Sequence, residues 1–180
     1  MSVARRLVPA GAWKADGVHS TVGIEVKRLG VSTFRAGFTD IEASLVSGPD
    51  GVELDGTVRV DSFDVQDDEL RPIVMSPEFL DLERHPELAF RSTAVREHDN
   101  EFVVEGELTI RGTTLSVVAR GSLSEPITDP YGEQRLALTL EAVIDRTDFG
   151  LGWQMKLPDG GQVLASDVKL VASLEFVKEP

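Results

Sequence analysis

Cysteine is absent from the 180 residues, which removes disulfides, thiolate nucleophiles and cysteine-ligated metals from this chain's repertoire. Histidine is nearly as scarce. His19, His85 and His98 lie far apart, and no two have the i,i+4 spacing that sets a pair of imidazoles on one helix face, so neither a metal site nor a cofactor is expected. Basic side chains are also short: 18 Lys and Arg face 31 Asp and Glu, a net charge of −13. Nucleic-acid binding is driven by neutralising phosphates, and adhesion to anionic bilayers needs basic patches, so this balance counts against both. No apolar run approaches the roughly 18 residues that a membrane span requires, so stable membrane insertion is not expected. The first residues, MSVARRLVPAGAW, carry two arginines without the apolar segment of a secretion signal, which points to a cytoplasmic protein. The G-x-S-x-G elbow, the phosphate loop and the dinucleotide fingerprint are missing as well.

A two-residue period fills most of the chain instead. In VELDGTVRV, Val52, Leu54, Val58 and Val60 share one face, opposite Glu53, Asp55, Thr57 and Arg59. Phe102, Val104, Leu108 and Ile110 align in the same way, with Glu105 and Glu107 on the wet side. Leu136, Leu138, Leu140, Ala142 and Ile144 form a third row, and Val168, Leu170, Ala172, Leu174 and Phe176 a fourth. Turn chemistry (GPDG at 48–51, HDN at 98–100, RGTT at 111–114, DPYG at 129–132, PDGG at 158–161) separates these runs. With further runs near 22–29, 34–46, 88–96 and 115–124, about eight strands are expected in one domain. Strands with one dry face must close on themselves or on a second sheet, so a barrel or a sandwich follows.

Residues 62–90 break the pattern. Asp68 is a candidate cap for a first helical turn, and Pro72 argues against one continuous helix. Ser76 then reads as an N-cap with Pro77 at the first helical position, placing Phe79 and Leu82 on one face before Pro86 ends the helix. Such an apolar excursion, about 67–84, needs an apolar surface, and the open end of a barrel offers one.

Four strings in order carry a resemblance over nearly the whole chain, from Trp13 to Phe176. These are Trp13, Asp16, His19 and Ser20 in W-x-x-D-x-x-HS; SPEFLDLERHPELAFRSTAV; GELTIRGTT at 106–114; and IDRTDFGLGW at 144–153. Together they resemble the YceI-like family of lipid- or polyisoprenoid-binding proteins. The resemblance implies an all-β, eight-stranded antiparallel lipocalin-like barrel with the excursion covering one end. It also implies an internal cavity for a hydrophobic lipid ligand: a polyisoprenoid, an isoprenoid quinone or a fatty-acid derivative. Two departures stand out: Arg28 replaces a frequent histidine at the end of the first long strand, and ELRPIVM replaces an R-D-x-H-L pattern.

On that reading Val22, Ile24, Val26 and Phe38 come from the early strands, Phe79 and Leu80 from the excursion, and Phe90, Leu108, Ala142 and Ala172 from the later strands. His19, Arg146, Phe149 and Trp153 complete the expected ligand-binding set. Ala142, Ala172 and Gly106 either leave room inside or pack against bulky neighbours. Arg146 either forms a salt-bridged turn with Asp145 and Asp148 or faces a head group. A barrel about 20 Å tall suits an extended tail of roughly sixteen carbons. An enzyme using His19, Asp145 or Asp148 on such a lipid, and a packed barrel that serves as an interaction protein, remain open alternatives, as does a homodimer.

Overall fold

The computed structural model describes residues 8–180, so most of the stretch inspected for a secretion signal, residues 1–7, lies outside the described residues. The strands are β1 (Gly11–Ala15), β2 (Thr21–Arg28), β3 (Ser32–Phe38), β4 (Ile41–Gly48), β5 (Gly51–Arg59), β6 (Phe63–Asp64), β7 (Glu87–His98), β8 (Glu101–Ile110), β9 (Thr113–Leu123), β10 (Ile127–Thr128), β11 (Gln134–Asp145) and β12 (Leu164–Lys178). One α-helix, α1 (Leu70–Met75), lies between β6 and β7. Antiparallel pairing runs β1–β4–β5–β7–β8–β9–β11–β12 and returns from β12 to β1, so eight strands close a barrel.

β12 is the closing strand. One of its edges pairs with β11 from Asp167 to Val177. Its other edge pairs with β2 between Leu164 and Ser173 and with β1 from Phe176 to Lys178. The expected strand run at 34–46 is in fact two strands, β3 and β4, with a corner at Thr39 and Asp40. No glycine or proline marks that corner. It is held by distant groups: the Thr39 N–H donates to Ser62 Oγ at 3.2 Å, and the Arg59 N–H to the Asp40 carbonyl at 3.0 Å. Two hairpin turns follow their sequence signals directly. Asp99–Asn100 and Arg111–Gly112 both take left-handed backbone at the two central positions, the geometry that matches strand twist.

The barrel is packed unevenly. At the end where β1 pairs with the close of β12, Trp13, Leu45, Phe102, Leu138 and Phe176 are at most 2% exposed and form a plug. Gly121 permits β9 to approach β11 there, since a Cβ would sit 1.7 Å from the Thr139 carbonyl oxygen. Around the same end, the Arg135 guanidinium of β11 gathers four carboxylates: Asp16 and Glu175 at 2.9 Å, Asp129 at 2.7 Å and Glu133 at 3.2 Å. Asp16 also meets His19 Nδ1 at 2.9 Å. The clasp joins the β1–β2 corner to β11 and β12. Hydrogen bonds from His19 and then Arg135 hold the Asp16 carboxyl well below the usual range, and Arg135 lowers Asp129. Asp16 in turn raises His19.

The opposite end carries the excursion, arranged differently from the sequence expectation. The helix is Leu70–Met75 and ends at Ser76, instead of starting there. Pro72 is tolerated because it lies in the first turn, where an amide N–H has no intrahelical acceptor. Asp67, not Asp68, accepts a backbone N–H at the entry, from Glu69 at 2.9 Å. Ser76 turns its N–H back to the Ile73 carbonyl at 3.2 Å, and residues 77–84 follow as turns folded onto the helix, with Leu80 N–H on Val74 O at 3.0 Å and Leu82 N–H on Met75 O at 3.1 Å. Two arginines strap this segment to the barrel rim. Arg71 donates to the Phe63 and Asp61 carbonyls, and Arg111 to the Gly150 and Pro77 carbonyls.

Truncating the plug should be costly: Trp13→Ala is expected to lower unfolding free energy by about 3–5 kcal/mol in urea titrations, whereas Thr139→Ala on the outer wall should change it by less than about 0.5 kcal/mol. The clasp should show in stability against pH. Depressed carboxyls stabilise the fold above their ordinary range and lose that contribution as pH falls through their lowered folded values. The stability gap between wild type and Arg135→Gln should therefore be widest above about pH 4 and narrow on acidification. His19 behaves oppositely: its contribution is present below about pH 6.5 and disappears as pH rises through its raised folded value, so His19→Ala should match wild type in alkaline buffer. Gaps independent of pH would refute the electrostatic account of the clasp.

Candidate functional site: a cavity beneath the excursion

The inward rows of the strands determine what lies between plug and excursion. β2 contributes Val22, Ile24 and Val26, and its partner β3 faces them with Phe34 and Phe38, in the registers Val26↔Phe34 and Val22↔Phe38. On the other side of β2, Val22 is level with Ala172 of β12, which is level with Leu140 of β11. An alanine between two larger residues leaves a hollow, and Ala142 beside Leu170 is a second small residue on the inward rows. These rows enclose a cavity of about 530 Å³ with an almost wholly apolar lining. Its volume falls within the ~300–1,000 Å³ typical of small-molecule sites. Along β12 the lining runs from Leu164 to Leu174, on the order of 20 Å of depth at about 3.3 Å per residue with tilt and a bulge allowed for. One step further, Phe176 belongs to the plug, so the cavity is blind at that end.

Gly106 leaves no such hollow. Phe90 lies over it, and a Cβ there would meet the phenyl ring at 2.4 Å, so the ring takes the room that the missing side chain leaves.

The excursion roofs the cavity with Leu70, Ile73, Val74, Phe79 and Leu80. Phe79 packs against Trp153 with ring centroids 5.5 Å apart. The segment after Trp153 folds into a hairpin held by Gln154, whose Oε1 accepts from Val163 and Leu164 N–H and whose Nε2 donates to the Leu164 carbonyl at 2.9 Å. Met155 of this hairpin lines the mouth with its side chain largely exposed, and Arg28, at the end of β2, lines it from the facing strand.

Arg146 is the one buried cation of the lining among the described residues, 4% exposed. Its Nε donates to Ala165 O at 2.9 Å, Nη1 to the carbonyls of Leu151 and Trp153, and Nη2 to Leu164 O at 3.4 Å. The salt-bridged turn considered for Asp145–Asp148 does not form. Asp145 instead accepts from the Thr147 N–H at 2.9 Å and from its hydroxyl, bonds that lower its pKa, and Asp148 is exposed. Burial pushes the Arg146 guanidinium below its usual pKa.

Of the residues singled out in the sequence, Val22, Ile24, Val26, Phe38, Phe79, Leu80, Phe90, Leu108, Ala142, Arg146, Trp153 and Ala172 all reach the cavity. His19 and Phe149 do not. His19 sits at the plug end on Asp16, with an exposed ring, and Phe149 is buried in the core beside the site. Asp16, His19 and Glu175 approach closely enough to hold a cation, but the Arg135 guanidinium already lies 2.9 Å from both carboxylates. Sequence reasoning missed Ile73 and Val74, because the short helix has no periodic face, whereas Met155, beside Trp153 in LGWQMKL, reads from the sequence as pocket wall or rim, with a core role as the alternative. Phe34 could have been found, being in step with Phe38 along β3.

Known proteins share this architecture. Solved structures similar to it include Burkholderia cenocepacia BcnA, with a TM-score of 0.74 at 22% identity, covering 89% of this chain and 98% of that one. A polyisoprenoid binding domain from Saccharophagus degradans superposes with a TM-score of 0.64 at 10% identity over 93% of this chain and 98% of its own. At such identities these likenesses show the fold. In sequence, protein YceI of Salmonella arizonae is 27% identical over 175 residues, 94% of this chain and 88% of the relative. A UPF0312 protein of Pectobacterium atrosepticum is 27% identical over 167 residues, 91% of this chain and 84% of the relative. The model of the YceI-like domain matches residues 13–176, and the chain belongs to the YceI-like family.

Proposed function

We propose that this protein binds one apolar amphiphile, a polyisoprenoid, an isoprenoid quinone or a fatty-acid derivative, with its tail in the barrel, to carry, store or sequester it. The observation that carries this reading is the blind 530 Å³ cavity whose walls are built from aliphatic and aromatic side chains. A packed barrel would need no hollow at Ala142 and Ala172. The Saccharophagus neighbour, described as a polyisoprenoid binding domain, supports the same ligand class. Each buried methylene contributes about 0.8 kcal/mol, so a tail of about sixteen carbons gains on the order of 10 kcal/mol before association costs. Walls of this kind discriminate weakly between tails, which leaves selectivity to the mouth.

Binding without turnover fits the placement of the ionisable groups. Asp145, Asp148 and His19, the acid–base candidates, are all outside the lining. Glu42 and Glu141 border it only from the outward rows of their strands, where Glu141 pairs with Lys169 at 3.4 Å.

Protein purified from its own host should release a stoichiometric long-chain or isoprenoid molecule on organic extraction after native mass spectrometry. An empty protein that also refuses added quinones, prenols and fatty acids would overturn the proposal. Ala172→Phe should weaken uptake of such ligands by at least about tenfold, since the ring would project between Val22 and Leu140 into the hollow. Thr139→Val, on the outward row one position from Leu140, should leave uptake unchanged.

A further inference from the structure

Resting on the lipid-binding reading, we infer that the ligand's polar end is an oxyanion, a carboxylate or a phosphate monoester, held at the mouth by Arg28 and Arg146. Both guanidiniums belong to the same corner of the cavity. Arg28 is the cross-strand partner of Leu164, and Arg146 donates to the carbonyls of Leu164 and Ala165. On β2 the inward row reads Val22, Ile24, Val26, Arg28, so the apolar wall ends in a cation at the rim.

Neither arginine has an acidic partner. Arg146 is buried with only carbonyl oxygens as its hydrogen-bond partners, and no carboxylate oxygen lies within 4.0 Å of it among the described residues, so Asp145 acts on it only at longer range. Of its five N–H groups those bonds engage four, leaving one on Nη2. The Arg28 side chain makes no hydrogen bond or ion pair among the described residues. Of the acids nearest along the chain, Glu25 holds Arg35 at 2.9 Å, Asp145 is bonded to Thr147, and Asp148 is exposed on the outside of the turn. In a chain of net charge −13 that surrounds Arg135 with four carboxylates, four guanidiniums at the roofed end have no ion-pair partner among the described residues; Arg71 and Arg111 spend their N–H groups on strapping the excursion, which leaves Arg28 and Arg146 at the cavity corner.

The chemistry they match follows from their form. A guanidinium presents planar paired donors that fit the oxygens of a carboxylate or phosphate, and a charge-assisted hydrogen bond is roughly twice as strong as a neutral one. An anion at this corner would neutralise the buried Arg146 charge where solvent screening is weakest. The tail would then run from Leu164 towards Leu174, so the ligand enters tail first with its head at the rim.

The test compares amphiphiles with one tail and different heads: hexadecanoic acid, hexadecyl phosphate and hexadecan-1-ol, each titrated into delipidated full-length protein at alkaline pH, where the acid is ionised. Acetate and inorganic phosphate, which have the head without the tail, serve as controls and should not bind. The acid and the phosphate ester are expected to bind about tenfold more tightly than the alcohol. In Arg28→Gln that ratio should fall towards one, in Arg28→Lys it should be largely retained, and in Arg28→Glu it should invert. Equal affinity of wild type for acid and alcohol would overturn the oxyanion inference while leaving lipid binding intact. Failure of all three amphiphiles to bind would overturn the lipid reading itself. A ratio unchanged in both Arg28→Gln and Arg28→Glu would remove Arg28 from the site, and binding of acetate or inorganic phosphate alone would show an anion site independent of any lipid.

Discussion

Everything in this molecule depends on β12 being paired along both of its edges. A strand with a free edge presents unpaired N–H and C=O groups to other chains, and closure is the one arrangement that removes the problem altogether. β12 achieves it by holding β11 on one side and β2 followed by β1 on the other. Because that second edge is shared by two strands, the chain must turn a corner between them. Ser20 secures the corner by accepting the Glu175 N–H at 3.0 Å, and Arg135 adds the carboxylate clasp. The buried Ser20 and the half-buried Asp16 and Glu175 thus belong to the problem of closing a barrel rather than to a ligand.

Closure alone does not make a cavity. Eight strands enclose a space that side chains can fill. At one end they do, with Trp13, Phe102 and Phe176. Towards the other end Ala142 and Ala172 do not fill it, and the hollow is roofed in part by the excursion and the 153–163 hairpin. Room and roof come from different parts of the chain. The roof is tied by Arg71, Arg111 and the Phe79–Trp153 ring pair, and it packs Leu80, Val74, Met75 and Leu82 against the core.

The two ends also differ electrically. The plug end concentrates carboxylates around one guanidinium, and the roofed end holds four guanidiniums, Arg28, Arg71, Arg111 and Arg146, without an ion-pair partner among the described residues. Overall charge therefore describes this protein poorly: its strongly acidic balance coexists with a positive corner where the cavity meets solvent.

The sequence by itself determined most of the long strands and their dry faces, though not the corner between β3 and β4, together with the glycine-bearing turn at Arg111–Gly112 and the existence of an apolar excursion between β6 and β7. These are local properties, written as a two-residue period or as turn residues at fixed offsets. Most wall residues of the cavity were legible for the same reason, since Val22 through Val26 or Ala142 and Ala172 need only the correct face. Only the tertiary structure decided which small residues leave space: Gly106 is filled by Phe90 across the strand pair, and Ala172 is not filled by anything. It also decided where the helix sits, because Pro72 can begin a helix as well as end one. The partners of Arg146 were set in the same way, since its nearest acid in sequence turns to Thr147 while carbonyls up to nineteen residues away accept its hydrogen bonds. Periodicity is read along one strand, whereas filling, capping and charge compensation depend on atoms brought together from distant parts of the chain.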